Sequence, residues 1–175
     1  NTMLSLEENK HICLDSCSII NLINGGYLEE VLLIPNYVFV IGPSVYDEVS
    51  KILSQKEIVD HFISMGKLHE FSDDIDIEMM DSLFSQYNLG DGETESVTMS
   101  IENNFEICVD DKSARRMAEE NIGAEKTMGS LRLLKFTVEK SLIECFEAFR
   151  AYELMINEGG FLPKGIPRNY FCKAS

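Results

Sequence analysis

Four carboxylates sit where the surrounding sequence pattern calls for something else. The apolar run Ile107-Cys108-Val109 ends in Asp110, with Asp111 directly behind it, and the run "HICL" ends the same way in Asp15. In the segment "SVYDEVSKI", Glu48 lies three residues after Val45 and four before Ile52, on the stripe that an amphipathic helix turns inward. Glu93 stands four and eight residues ahead of Val97 and Ile101 and repeats that placement. A carboxylate on an inward face carries a desolvation cost unless something pairs with it. Gathering several adds mutual repulsion, which a proton or a cation relieves. Hard oxygen ligands without Cys or His suit Mg2+ or Mn2+ rather than zinc. One or two such ions activate a water and stabilise the departing oxygen in phosphodiester cleavage.

Each acid also has an ordinary structural explanation. Asp15 and Asp111 stand where helix N-caps are expected, and a first-turn acid such as Glu93 gains about 0.3–1 kcal/mol from the helix dipole. Capping accounts for one member of the Asp110-Asp111 pair but hardly for both. Lys112, Arg115 and Arg116 follow them. They read either as counter-charges for phosphate or as a solvated helix face that pairs with Glu119 and Glu120 one turn on.

The elements that must position these groups are short and alternate in type. Strands are expected at "HICLD" (11–15), "YVFVI" (37–41), "KLHEF" and "FEICV". Helices are expected at "SIINLIN", stopped by Gly25-Gly26, and at "YLEEVLLI". A further helix begins at Ser44, read as its cap, with Asp47 as the acid of a capping box. Helical spacing recurs in "EIVDHFISMG", "IDIEMMDSLFSQYN", "ETESVTMSIENN", "KSARRMAEENIG", "GSLRLLKFTVEK" and "IECFEAFRAYELMINEGG". Strand then helix, several times over, predicts an α/β fold: a three-layer α/β/α sandwich around a central, largely parallel sheet. Ligands of such sheets bind beyond the carboxyl ends of the strands, which is where Asp15 and Asp110 fall.

A chain of 175 residues is read as one domain, 1–175, with 141–175 as a C-terminal helical extension in which no chemistry is identifiable. No apolar run approaches the ~20 residues of a membrane span, and the N-terminus has no signal-peptide pattern. Five cysteines, an odd number without a CxxC pair, suggest reduced thiols and a cytoplasmic protein. The net charge of −15 argues against nucleic-acid binding through bulk electrostatics. Thirteen Asp or Glu and no Lys or Arg lie between Leu68 and Asp111, most of them read as a solvated acidic face.

The blocks "ICLDSCSIINL", "PSVYDEV", "LGDGETESV" and "ICVDDKSARRMAEENIGAEKTMGSLRLLK" together resemble the PIN domain family of metal-dependent ribonucleases, many of them toxins of prokaryotic toxin–antitoxin pairs. The likeness runs from about Ile12 to about Lys135 and is nearest to members with a GE in the third block and a DD in the fourth. It implies a metal site at Asp15, Glu48, Glu93 and Asp110, with Asp111 as an added ligand. Asp15 and Asp110 would ligate directly. Glu48 and Glu93 would orient water or complete a second metal position. It further implies Mg2+ or Mn2+, hydrolysis of RNA to a 5′-phosphate product, a homodimer, and a small antitoxin partner. Lys112, Arg115 and Arg116 would contact RNA phosphates, with Lys135 as a further source of local positive charge. Cys17 stands where a small hydroxyl residue is usual, Ser96 and Ser100 where small apolar residues are commoner, and Lys126 where glycine is frequent.

Two other readings compete. A PIN-like scaffold would bind RNA or protein without cutting it. A receiver-like signalling domain also gathers aspartates at strand ends around Mg2+, but it has no place for the inward Glu48 and Glu93.

Overall fold

The computed structural model describes residues 9–172. Five parallel strands form its sheet: β1 (Lys10–Leu14), β2 (Tyr37–Ile41), β3 (His69–Glu70), β4 (Glu106–Cys108) and β5 (Thr127–Met128), in the order β3-β2-β1-β4-β5. Nine α-helices connect and flank them among the described residues: α1 (Ser16–Gly25), α2 (Leu28–Leu32), α3 (Pro43–Val49), α4 (Leu53–Ser64), α5 (Ile77–Tyr87), α6 (Asp91–Asn103), α7 (Lys112–Ile122), α8 (Ser130–Glu139) and α9 (Cys145–Asn157). None is long and apolar enough to cross a membrane.

Side chains alternate across a strand, so one strand feeds two cores. Ile12, Leu14, Phe39, Ile41 and Cys108 belong to one apolar cluster, shared with Ile19 and Leu22 of α1, Leu133 and Leu134 of α8, and Ala151 and Met155 of α9. Cys13, Val40 and Ile107 face the other, against Val97 and Met99 of α6 and Ala114, Met117 and Ala118 of α7. Both faces are buried, as a parallel sheet requires. The result is the three-layer α/β/α sandwich that the sequence predicts.

The strand order places a topological switch between β1 and β4. The chain winds outward from β1 through β2 to β3, then crosses back to lay β4 on the other side of β1. A crevice opens beyond the carboxyl ends of the strands at such a point. The receiver-like alternative calls for the order 2-1-3-4-5, and this sheet excludes it.

Three local expectations are corrected. Ser44 does not cap α3. Gly42 does, and Pro43 opens the helix, where its missing N–H costs nothing. Glu48 is exposed rather than inward. Helix α3 ends at Val49, so Ile52, itself 52% exposed, never extends the buried stripe of Val45 and Val49. The cysteines are not all reduced: Cys145 and Cys172 form a disulfide, with Cα atoms 5.0 Å apart, while Cys13, Cys17 and Cys108 are free. The chain beyond α9 folds back and brings together two residues 27 positions apart. Closing a loop of that size stabilises by about 3–4 kcal/mol on the chain-entropy scale. Reduction should therefore lower the melting temperature by roughly 5–15 °C. Differential scanning calorimetry with and without a thiol reductant checks this, with the Cys145→Ser variant expected to melt like the reduced protein.

Candidate metal centre and its adjoining groove

Backbone bonds at the strand ends set the site. The Asp15 N–H donates to the Cys108 carbonyl (3.1 Å) and the Val109 N–H to the Met128 carbonyl (2.8 Å), so the exits of β1, β4 and β5 are held side by side. The Ser18 hydroxyl of α1 also donates to Cys108 (3.1 Å). Asp15 and Asp110 thus leave adjacent strands at the switch point.

Their surroundings differ. Asp15 is fully buried and caps α1, its Oδ1 accepting the Cys17 N–H at 2.5 Å. Its Oδ2 is buried with no hydrogen-bond partner. Burial pushes the Asp15 carboxyl up to about 8. The Cys17 bond opposes that rise, while the charges of Glu93 and Asp110 add to it. Asp110, also buried, is fully engaged. Its Oδ1 accepts the Ser130 N–H (2.8 Å), and its Oδ2 accepts the Asn21 amide (2.7 Å) and the Ser130 hydroxyl (2.6 Å). Gly129, just before α8, lets this happen, since a Cβ there would lie 2.9 Å from Asp110 Oδ1 and would strike Arg115.

Glu93 lies half-buried in the first turn of α6. Glu48 reaches it across a close helix contact: a Cβ on Gly92 would sit 3.3 Å from Glu48 Oε2. Cys17 records the convergence. Burial, then the charges of Asp15, Glu93, Glu48 and Asp110, push its thiol up to about 12. All four acids thus make their charges felt at Cys17, from segments far apart along the chain. They do not form a closed cage: among the described residues, no three His, Cys, Asp or Glu are gathered tightly enough to hold a metal ion. Asp111 caps α7, its Oδ1 accepting the Ser113 and Ala114 N–H groups at 2.9 Å.

Several polar residues here were not legible as site residues. Glu95 is buried, and its carboxylate accepts both the Ser44 N–H (2.8 Å) and the Ser44 hydroxyl (2.7 Å), clamping α6 to the start of α3. A side chain at Gly42 would run into Glu95 Oε1, so the same carboxylate explains the glycine cap. Asn21 and Ser130 hold Asp110. Ser130 follows β5 as Asp15 follows β1, and recognising that two-residue strand would have pointed to it.

The basic residues divide. Arg115 donates to the Val109 carbonyl (3.2 Å) and, with Lys112, lines a groove of about 1140 Å³ that begins at Asp110 and Asp111. Arg116 turns away and pairs with Glu120 at 2.8 Å, the solvated-face arrangement. Lys135 lies over the Tyr170 ring, 4.7 Å from its centre.

A family model described as PIN domain matches residues 11–174. The chain belongs to the PIN domain family. The match extends past Lys135, where the sequence resemblance stops, and takes in α9 and the segment after it. No curated protein and no solved structure matches the chain significantly. PIN domains are generally nucleases that act on RNA with divalent metal ions. The donor set of this PIN domain suits such an ion: oxygen ligands only, like charges facing one another, and a buried Asp15 Oδ2 with nothing to accept from.

Proposed function

We propose that this PIN domain is a Mg2+- or Mn2+-dependent endoribonuclease that hydrolyses phosphodiester bonds of RNA. The observation that carries the reading is Asp15 Oδ2, buried without a partner and facing the charges of Glu93 and Asp110. A fully desolvated carboxylate in that company is costly in isolation, and a hard cation removes the cost.

Asp15 and Asp110 are the residues that would hold the ion, with Glu93 and Glu48 completing its outer side; Asp111 contributes by its free oxygen. The ion, when bound, supplies Lewis acidity toward the phosphate and the attacking water. Asn21 and Ser130 hold Asp110 in its orientation. Glu93 and Glu48, the more accessible pair, would orient the attacking water. Lys112 and Arg115 at the groove mouth offset phosphate charge. The product carries a 5′-phosphate. The reading extends to a toxin role, a homodimer, and restraint by a small antitoxin protein.

The test is incubation of single-stranded RNA with purified protein in Mg2+ or Mn2+. Cleavage that stops with EDTA and returns with added metal supports the reading. Metal-independent binding with no cleavage supports the scaffold instead, which the uncaged acids favour.

A further inference from the structure

The groove that starts at Asp110 leads away from the acids and changes character. Arg115 and Lys112 lie on one wall, Arg132 of α8 on the next, and Lys164 on the segment after α9. In a chain of net charge −15, four cations opening on one space form a local reversal of sign. Phe161, 88% exposed, stands at the lip shared by this groove and a smaller pocket of about 170 Å³ that reaches Cys17 and Asp110. An aromatic ring with that exposure contributes almost nothing to the core. It offers a free face next to the candidate reaction site.

The wall carrying Phe161 and Lys164 is built. The Tyr152 hydroxyl donates to the Pro163 carbonyl (2.7 Å) and accepts the Ile166 N–H (3.3 Å), pinning the segment to α9. Gly160 donates its N–H to the Met155 carbonyl, and a Cβ on it would lie 2.6 Å from Asn21 Oδ1. The segment therefore packs directly on the residue that holds Asp110. The Cys145–Cys172 disulfide anchors its far end.

We propose that this groove is a nucleotide subsite for single-stranded RNA: Phe161 stacks a base beside the scissile position, and Arg132 and Lys164 hold the phosphates that follow. The inference rests on the nuclease reading for its substrate and gives the C-terminal segment a part in recognition. The occupant follows from charge and shape together. Clustered Lys and Arg require a polyanion, and an exposed ring adds stacking that tolerates any base. The cations share the groove with Asp110 and Asp111, so a strand cut at the acids would also meet them.

Binding without turnover tests it. The full-length Asp15→Asn protein, in EDTA, is titrated into a fluorescein-labelled 12-nucleotide single-stranded RNA at several salt concentrations, read by anisotropy. Phe161→Ala should weaken binding about tenfold and leave the salt slope unchanged. Arg132→Gln and Lys164→Gln should each reduce that slope by about 0.7. An RNA scanned with single abasic positions should show one position whose loss mimics Phe161→Ala and makes that variant silent. All three side chains are at the surface, so equal melting temperatures exclude misfolding. Unchanged affinity in Phe161→Ala and Lys164→Gln overturns the subsite even where the wild type cuts RNA. Phe161-dependent binding, with no cleavage of the same RNA by the wild type in Mg2+ or Mn2+, sustains the subsite and removes the nuclease reading. Binding of a fluorescein-labelled acidic peptide that Phe161→Ala and Lys164→Gln weaken, with no RNA binding, assigns the groove to a protein partner and overturns the proposal.

Discussion

Replacing Asp15 by asparagine is expected to abolish RNA cleavage and, at the same time, to make the metal-free protein harder to unfold in mild alkali. The two effects share one cause. The Asp15 carboxyl is pushed up from an ordinary value of 3.8 to about 8, chiefly by burial. Between those values the folded protein holds a proton that the unfolded chain has released. Stability then falls as pH rises through that window, and the full cost is in place above about 8. An amide in the same volume carries no charge. It keeps an oxygen for the Cys17 N–H and turns N–H groups toward Glu93 and Asp110, where the acid had an orphaned oxygen. The gain should be about 1–3 kcal/mol at pH 9 and should vanish near pH 4. Urea titrations of wild type and Asp15→Asn at pH 4, 7 and 9 in EDTA give the difference directly. Millimolar Mg2+ should stabilise the wild type and leave the variant unmoved, because the cation takes the place of the proton. Cleavage should fall on the order of 10²–10⁴-fold. A variant less stable than wild type at pH 9 would mean that Asp15 is an ordinary cap whose charge the fold accepts without strain.

What the sequence could show, and what it could not, divides along physical lines. Strands "HICL" and "YVFVI" announce themselves because they are buried and β-branched, and the acid ending the first is visible as a break in that run. Strand β5 has only two residues, Thr127 and Met128, too few for any periodicity, yet it delivers Ser130 to Asp110. Glu95 was visible as one of thirteen acids but indistinguishable from the solvated ones. Its distinction is a partner, Ser44, 51 residues away. The Glu48 placement fails because the stripe is carried across a helix end: α3 stops at Val49, three residues short of Ile52. Glu48 nevertheless reaches the acids, by the gap that Gly92 leaves. The Cys145–Cys172 pair follows from a fold-back after α9 that no local pattern encodes. Convergence of Asp15 and Asp110 was legible for a stronger reason. In a parallel sheet every carboxyl end points to the same edge, so two strand-terminal acids on neighbouring strands must meet.

Asp110→Asn should abolish cleavage as Asp15→Asn does, yet with the opposite effect on folding. Asp110 is buried in donors: the Ser130 N–H on Oδ1, and the Asn21 amide and Ser130 hydroxyl on Oδ2. An asparagine there can keep its oxygen toward the Ser130 N–H. Its NH2 can donate to the Ser130 hydroxyl oxygen, but it faces the Asn21 NH2, and that buried donor loses its acceptor. Rotating the Asn21 amide would relieve that clash and turn its NH2 toward Gly160 instead. The cost should be about 1–3 kcal/mol at pH 6 and smaller at pH 9, where loss of the Asp110 charge eases the ionised Asp15. Thermal melts in EDTA measure it. The double variant Asp110→Asn with Asn21→Asp exchanges donor and acceptor across the same 2.7 Å contact. It should recover most of the lost stability while cleavage stays lost, because the carboxylate has moved off the strand end. Recovered cleavage in the double variant would show that the negative charge, wherever it sits in this pocket, is what the reaction needs. Opposite signs at Asp15 and Asp110 would separate the two: one carboxylate is left unsatisfied for a ligand to complete, and the other is held by the fold so that it can be presented to that ligand.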